Sequence, residues 1–154
     1  MKRLIFASLL SLAAISAAYA QVTVKDPWVR ATVPAQTTTG AYMQISAAKD
    51  AKLVQARSPV AGMVEIHEMA MAGDVMKMRA VREIDLPAGK IVELGPDGYH
   101  IMLMKLKGQV KDGDIVPLTL IVENKDGKRE NVEVKAVARA LADTMSGEHH
   151  HHHH

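Results

Sequence analysis

Outside a terminal histidine run the chain has two histidines, His67 and His100, and both are embedded in methionine. His67 lies in "EIHEMAMAGDVMKMR" (65–79), with Met69, Met71, Met76 and Met78 around it, and His100 lies in "GYHIMLM" (98–104), with Met102 and Met104. Neutral imidazole and thioether together make a soft, uncharged set of donors. That set suits Cu(I), whereas zinc favours thiolate, imidazole or carboxylate, and calcium and magnesium favour oxygen. There is no cysteine, which removes thiolate chemistry, disulfide bracing and any blue-copper centre built on two histidines and a cysteine. Thioether sulfur cannot be lost to disulfides in an oxidising compartment, although it can oxidise to sulfoxide.

One buried methionine is ordinarily a gap-filler, and one buried histidine is ordinarily a hydrogen-bonded part of the core. What shifts the balance is that two separate segments repeat the combination. Side chains alternate faces along a strand, so His100, Met102 and Met104 share one face while Tyr99, Ile101 and Leu103 take the other. The segment 65–79 reads as a hairpin turning on Ala72-Gly73. In that register His67 is opposite Met78, Met69 is opposite Met76, and Glu68 pairs with Lys77 on the reverse face. Directly opposed side chains begin about 5 Å apart at Cβ, close enough to share an ion, and a slip of one residue would exchange the faces.

The elements that must position these groups are strands. Short apolar and β-branched runs recur between turn residues, and no stretch holds a helical period. Strands are expected near 22–30, 40–47, 51–57, 62–71, 75–82, 90–94, 99–107, 115–124 and 129–138, with turns at Ala72-Gly73-Asp74, Pro96-Asp97-Gly98, Lys111-Asp112-Gly113 and Lys125-Asp126-Gly127. Many short strands at this spacing imply an all-β sandwich or barrel. Residues 31–39 have loop composition. Trp28 is expected as a core anchor, Met43 and Met63 as packing, and Glu68 and Asp74 as solvated charge.

Lys2-Arg3, the apolar run Leu4–Ile15 and Ala18-Tyr19-Ala20 read as a cleaved signal peptide over 1–20, which implies export to the periplasm. The run 149–154 reads as an expression tag, and 139–148 as a frayed tail ahead of it, so one domain is expected over 21–140 with a disordered tail over 141–154. Setting Lys2 and Arg3 aside leaves basic and acidic residues in balance, with no nucleic-acid or membrane-surface pattern. The leader's apolar run is shorter than the 20 or so residues that span a bilayer. No nucleophile-base arrangement and no glycine-rich phosphate loop is legible, so catalysis is not expected.

His67, Met78, His100 and Met102 fit the pattern His-x10-Met-x21-His-x-Met without insertion or deletion. With "VEIHEM", "VMKMR", "PDGYHIMLMKL" and "VPLTL" around it, the chain resembles the PCuAC family of periplasmic copper chaperones from about residue 26 to 138. The resemblance implies a cupredoxin-like Greek-key β-sandwich and one Cu(I) per chain held by those four residues. It also implies delivery toward the CuA centre of a cytochrome c oxidase subunit, with a Sco-type thioredoxin-like protein as associate and the chaperone itself a monomer. It leaves Met69, Met71, Met76 and Met104 without a role, and the tail lacks the His/Met-rich extension that some relatives carry. Two rival functions share the composition: a periplasmic copper buffer for resistance, and a metal-free interaction sandwich whose methionines only pack.

Overall fold

The computed structural model describes residues 21–141. The leader at 1–20, the tail from 142 and the histidine run lie outside the described residues. Ten strands follow in chain order: β1 Val22–Arg30, β2 Thr39–Ala47, β3 Ala51–Arg57, β4 Ala61–Ala72, β5 Val75–Val81, β6 Ile84–Leu86, β7 Ile91–Leu94, β8 Tyr99–Leu106, β9 Ile115–Asn124 and β10 Arg129–Arg139. Nine match the expected runs. β6 was not expected, because three residues between Glu83 and Pro87 are too few to display a period of two.

Hydrogen bonding runs continuously in the order β5-β4-β8-β2-β1-β10-β9-β3-β6, with β7 also on β2. All neighbours are antiparallel except β1 and β10, which pair in parallel through Trp28↔Val137 and Val29↔Ala138. The path bends over until β3 packs near β4 and β6 near β2, giving the cupredoxin-like sandwich expected from the sequence. The core fills from alternate positions: Ile45 of β2, Leu53 of β3, Ile101 and Leu103 of β8, and Leu118, Leu120 and Val122 of β9 are fully buried. This is the period-two signature of strands with one apolar face.

Two departures concern the edges of the site. A bulge in β1 between Lys25 and Trp28 resets the alternation at Asp26, whose φ is 47°. Val29 therefore points inward while Trp28 turns outward, opposite Tyr42. Trp28 is thus not the core anchor expected; it is half-buried on the outer face against Tyr42. The expectation of a frayed tail from residue 139 also fails at its first residue. Arg139 pairs with Arg30 in the sheet, and its guanidinium reaches the Asp26 carboxylate at 2.6 Å.

The β4-β5 hairpin forms, in a different register from the one expected. Its loop is Gly73-Asp74, closing Ala72 against Val75, so His67 is opposite Ala80, Met69 opposite Met78 and Met71 opposite Met76. The cause is local: the positive φ needed at the first loop position falls to Gly73, at 67°. Centring the turn one residue later moves each partner by two, which changes who faces whom and preserves the faces. Glu68 consequently pairs with Arg79, at 2.6 Å from Nε, rather than with Lys77.

Candidate metal centre

The outer face of β5-β4-β8 gathers the soft donors. Register places Met63 opposite Met104, Glu65 opposite Met102, and His67 opposite His100 between β4 and β8. Between β4 and β5 it adds the Met69–Met78 and Met71–Met76 pairs. Three successive rows make the site. The central row runs from Ala80 through His67 and His100 toward Tyr42 and Trp28; Met69 and Met78 flank it on one side, and Glu65, Met102 and Gly40 on the other. The small Ala80 opposite His67 leaves the long, flexible Met78 free to lean across β4 toward β8.

Both histidines are buried, His100 at 3% exposure and His67 at 9%, with ring centroids 6.0 Å apart and edge to face. Each ring has one nitrogen committed to the protein. His100 Nδ1 donates to the Gly98 carbonyl at 3.0 Å, and His67 Nε2 donates to the Glu65 carboxylate at 2.7 Å. This is the arrangement by which metal-ligating histidines are held in one tautomer, the second nitrogen being left with a free lone pair. The second nitrogens are telling. His67 Nδ1 is buried with no hydrogen-bond partner, and His100 Nε2 lies 3.0 Å from the Met78 sulfur.

Burial pushes His100 below the ordinary histidine range; the hydrogen bond to Gly98 opposes this, and the neighbouring His67 adds to it. At neutral pH the ring is therefore uncharged, with its only proton on Nδ1. Nε2 and the Met78 sulfur then meet as two lone-pair donors with no proton between them, a contact that a soft cation would complete. Among the described residues no group of three or more histidine, cysteine, aspartate or glutamate side chains is placed to hold a metal ion. Thioether is the further donor that the cleft supplies beside His100, from Met69, Met78 and Met102.

The donors open into a cleft of about 260 Å³ whose lining includes Met69, Met78, His100, Met102, Gly40 and Tyr42. Met78 is 48% exposed while the imidazoles are covered, so the site is shallow on the thioether side and closed beneath. Tyr42 is buried between Trp28, at 4.6 Å between ring centroids, and His100, at 6.3 Å. Its hydroxyl end lies over Gly40, where no side chain fits. The Arg30 guanidinium sits 5.9 Å from the Tyr42 ring, and that of Arg139 5.7 Å from Trp28.

The structure therefore brings His67, His100 and Met78 together and sets Met102 on the adjoining row of the same cleft. Met69 lines the cleft as well; Met71, Met76, Met63 and Met104 continue the face beyond it. Four contributors escaped the sequence reading: Glu65, the Gly98 carbonyl, Tyr42 and Gly40. Glu65 and Gly98 each stand two residues before a histidine, a spacing that returns to the same face of a strand, and this was the available clue. Nothing local marked Tyr42 or Gly40.

A model of the family described as "Putative lipoprotein LpqE-like" matches residues 22–136. A protein of Leifsonia xyli subsp. xyli described as "Putative lipoprotein Lxx21020" is 30% identical over 100 residues, or 64% of this chain. The chain spans 60% of the length of that relative. Among solved structures, the copper-bound PCuAC domain from PmoF2 superposes with a TM-score of 0.64 at 26% identity, covering 80% of this chain and 96% of that one. The solution structure of CuI-DR1885 from Deinococcus radiodurans gives 0.60 at 30% identity, covering 82% and 83%.

Proposed function

The chain belongs to the LpqE-like, PCuAC-type family, and from that premise we propose that it is a metallochaperone which takes up one Cu(I) at His67, Met78, His100 and Met102. The observation that carries the reading is the pair of uncommitted imidazole nitrogens, one buried without a partner and one facing a methionine sulfur at 3.0 Å. Two neutral imidazoles and two thioethers match Cu(I) in softness. The similarity to the copper-bound PCuAC domain from PmoF2 and to CuI-DR1885 supports the same cargo.

Carrying requires release as well as capture. Here the imidazoles are pinned from behind by Glu65 and Gly98, whereas Met78 is half-exposed on the edge strand β5. An incoming partner's donors can replace the Met78 sulfur first, loosening the ion while the histidines still hold it. No thiolate bond has to break. The place of work we propose is the periplasm, reached by the leader at 1–20, and the recipient is the CuA centre of a cytochrome c oxidase, with a Sco-type protein assisting. No helix among the described residues is long and apolar enough to cross a membrane. The domain so assigned is 21–140.

The test is an anaerobic Cu(I) competition titration on protein freed of the histidine run. One tight equivalent is expected, lost in His67→Ala and in Met102→Ala. Absence of a tight equivalent in the unmodified protein, with a curve that all four ligand replacements leave unchanged, would favour the metal-free interaction module. Transfer from the loaded protein to a copper-free CuA domain, followed by the absorption of the assembled centre, separates a chaperone from a buffer.

A further inference from the structure

The face that holds the site does not stop at Met78. One row further along the hairpin, Met71 is directly opposite Met76, and behind them Met69 is opposite Met78. Opposed side chains on such a ribbon start about 5 Å apart at Cβ, and successive rows on one face lie about 7 Å apart. Four thioethers therefore form a two-by-two array within the reach of flexible side chains. Met71 is 62% exposed and Met76 46%.

Packing does not account for the outer pair. The hairpin end has no core beneath it, and the residues of β5 before Val81 are all exposed. Leucine or valine would serve as well there if apolar surface were the only requirement. The reverse face of the same ribbon carries Glu68, Arg79 and Lys77, so the sulfurs are confined to the face that leads into the cleft. Met69 and Met78 link the two places, since both line the cleft and Met78 touches His100.

We propose that Met71 and Met76, with Met69 behind them, form a second, exposed thioether site for Cu(I), distinct from the buried imidazole centre and serving as the station from which the ion enters it. This rests on the copper reading above. With three neutral sulfurs and no imidazole, the outer site is the weaker of the two, and its ion passes inward by exchanging Met71 and Met76 for Met78 and His100. Oxidation states do not change in the transfer: Cu(I) arrives and leaves as Cu(I), and two thioethers are exchanged for a thioether and the imidazole nitrogen of His100 that carries no proton.

The experiment uses Ag(I), a redox-inert ion of the same charge and softness, added to protein without the histidine run and labelled at the methionine methyls. Two sequential changes are expected: the first equivalent shifts Met78 and Met102, and the second, weaker one shifts Met71 and Met76. In Met71→Leu/Met76→Leu the second equivalent is lost and the first retained, leucine keeping the apolar bulk. Met71 and Met76 methyls that stay still through two equivalents of Ag(I) overturn the proposal in the unmodified protein, whatever the variant does. Movement of Met71 and Met76 without Met78 and Met102 would preserve the outer site while removing the inner one, so the two readings fail separately.

Discussion

Gly40→Ala is the most informative single change, because its cost comes from one contact beside the site. A methyl group at Gly40 falls within contact distance of the Tyr42 hydroxyl and 2.8 Å from Tyr42 Cζ, nearer than carbon atoms approach. Gly40 does not have a positive φ, so alanine suits the backbone and on its own would stabilise by about 0.4–1 kcal/mol. Tyr42 is buried and wedged between Trp28 and His100, so it cannot swing aside freely, and overpacking of this kind costs about 1–3 kcal/mol. The net expectation is a loss of roughly 1–2 kcal/mol, or about 3–10 °C in Tm for a domain of this size. Displacing Tyr42 also disturbs His100, so Cu(I) affinity should fall by about tenfold or more, as when the support of a metal ligand is removed. The assay is thermal and urea unfolding of the apoprotein with a Cu(I) competition titration, repeated in a Tyr42→Leu background. There the clash is gone and Gly40→Ala should become neutral or slightly stabilising, a coupling within the 0.5–3 kcal/mol seen for touching residues. Equal cost in both backgrounds, or no cost in the parent, would refute the reasoning.

Glu65→Ala removes the acceptor that holds His67 Nε2 at 2.7 Å, so copper affinity should drop by roughly 10- to 100-fold with little change in fold; Glu65→Gln, which can still accept through its amide oxygen, should lose less in the same titration. Asp26→Asn probes the strand β1 bulge, and asparagine tolerates the left-handed backbone there. The hydrogen bond from Arg139 holds the Asp26 carboxyl below its ordinary 3.8; burial opposes it in part, and the Arg139 charge adds a smaller lowering. A carboxyl lowered in the folded state contributes stability that is complete above its unfolded value and disappears as pH falls through its folded one. Unfolding free energies of parent and Asp26→Asn from urea titrations should therefore differ at neutral pH, by less than about 1 kcal/mol for so exposed a pair, and converge as pH falls through the lowered folded-state value; a constant difference would contradict the assignment.

Several features of the fold were legible because they are local. Alternation in β8 separates Ile101 and Leu103, fully buried, from His100 and Met102, and any strand with one apolar face must do this. β6 was not legible, since three residues carry no period, and neither was the outward turn of Trp28, since a bulge announces itself only when a partner strand is present to count against. The hairpin register missed by a single loop residue. Both choices keep His67, Met69 and Met78 on one face, and periodicity cannot tell them apart; the left-handed φ of Gly73 decides.

What the chain determines by itself is an inventory and a parity: two imidazoles, a surplus of thioethers, no thiol, and strands whose alternation sends those donors to one side. That much follows from side-chain chemistry and the period-two backbone, both properties of short segments. Only the tertiary structure decides that His67 and His100 stand side by side, that Glu65 and Gly98 commit one nitrogen of each, and that Gly40, opposite Met102, clears space for Tyr42. These depend on which strands become neighbours and in what register. That is settled by burying the core on the opposite face, and no local signal at the donors themselves carries it.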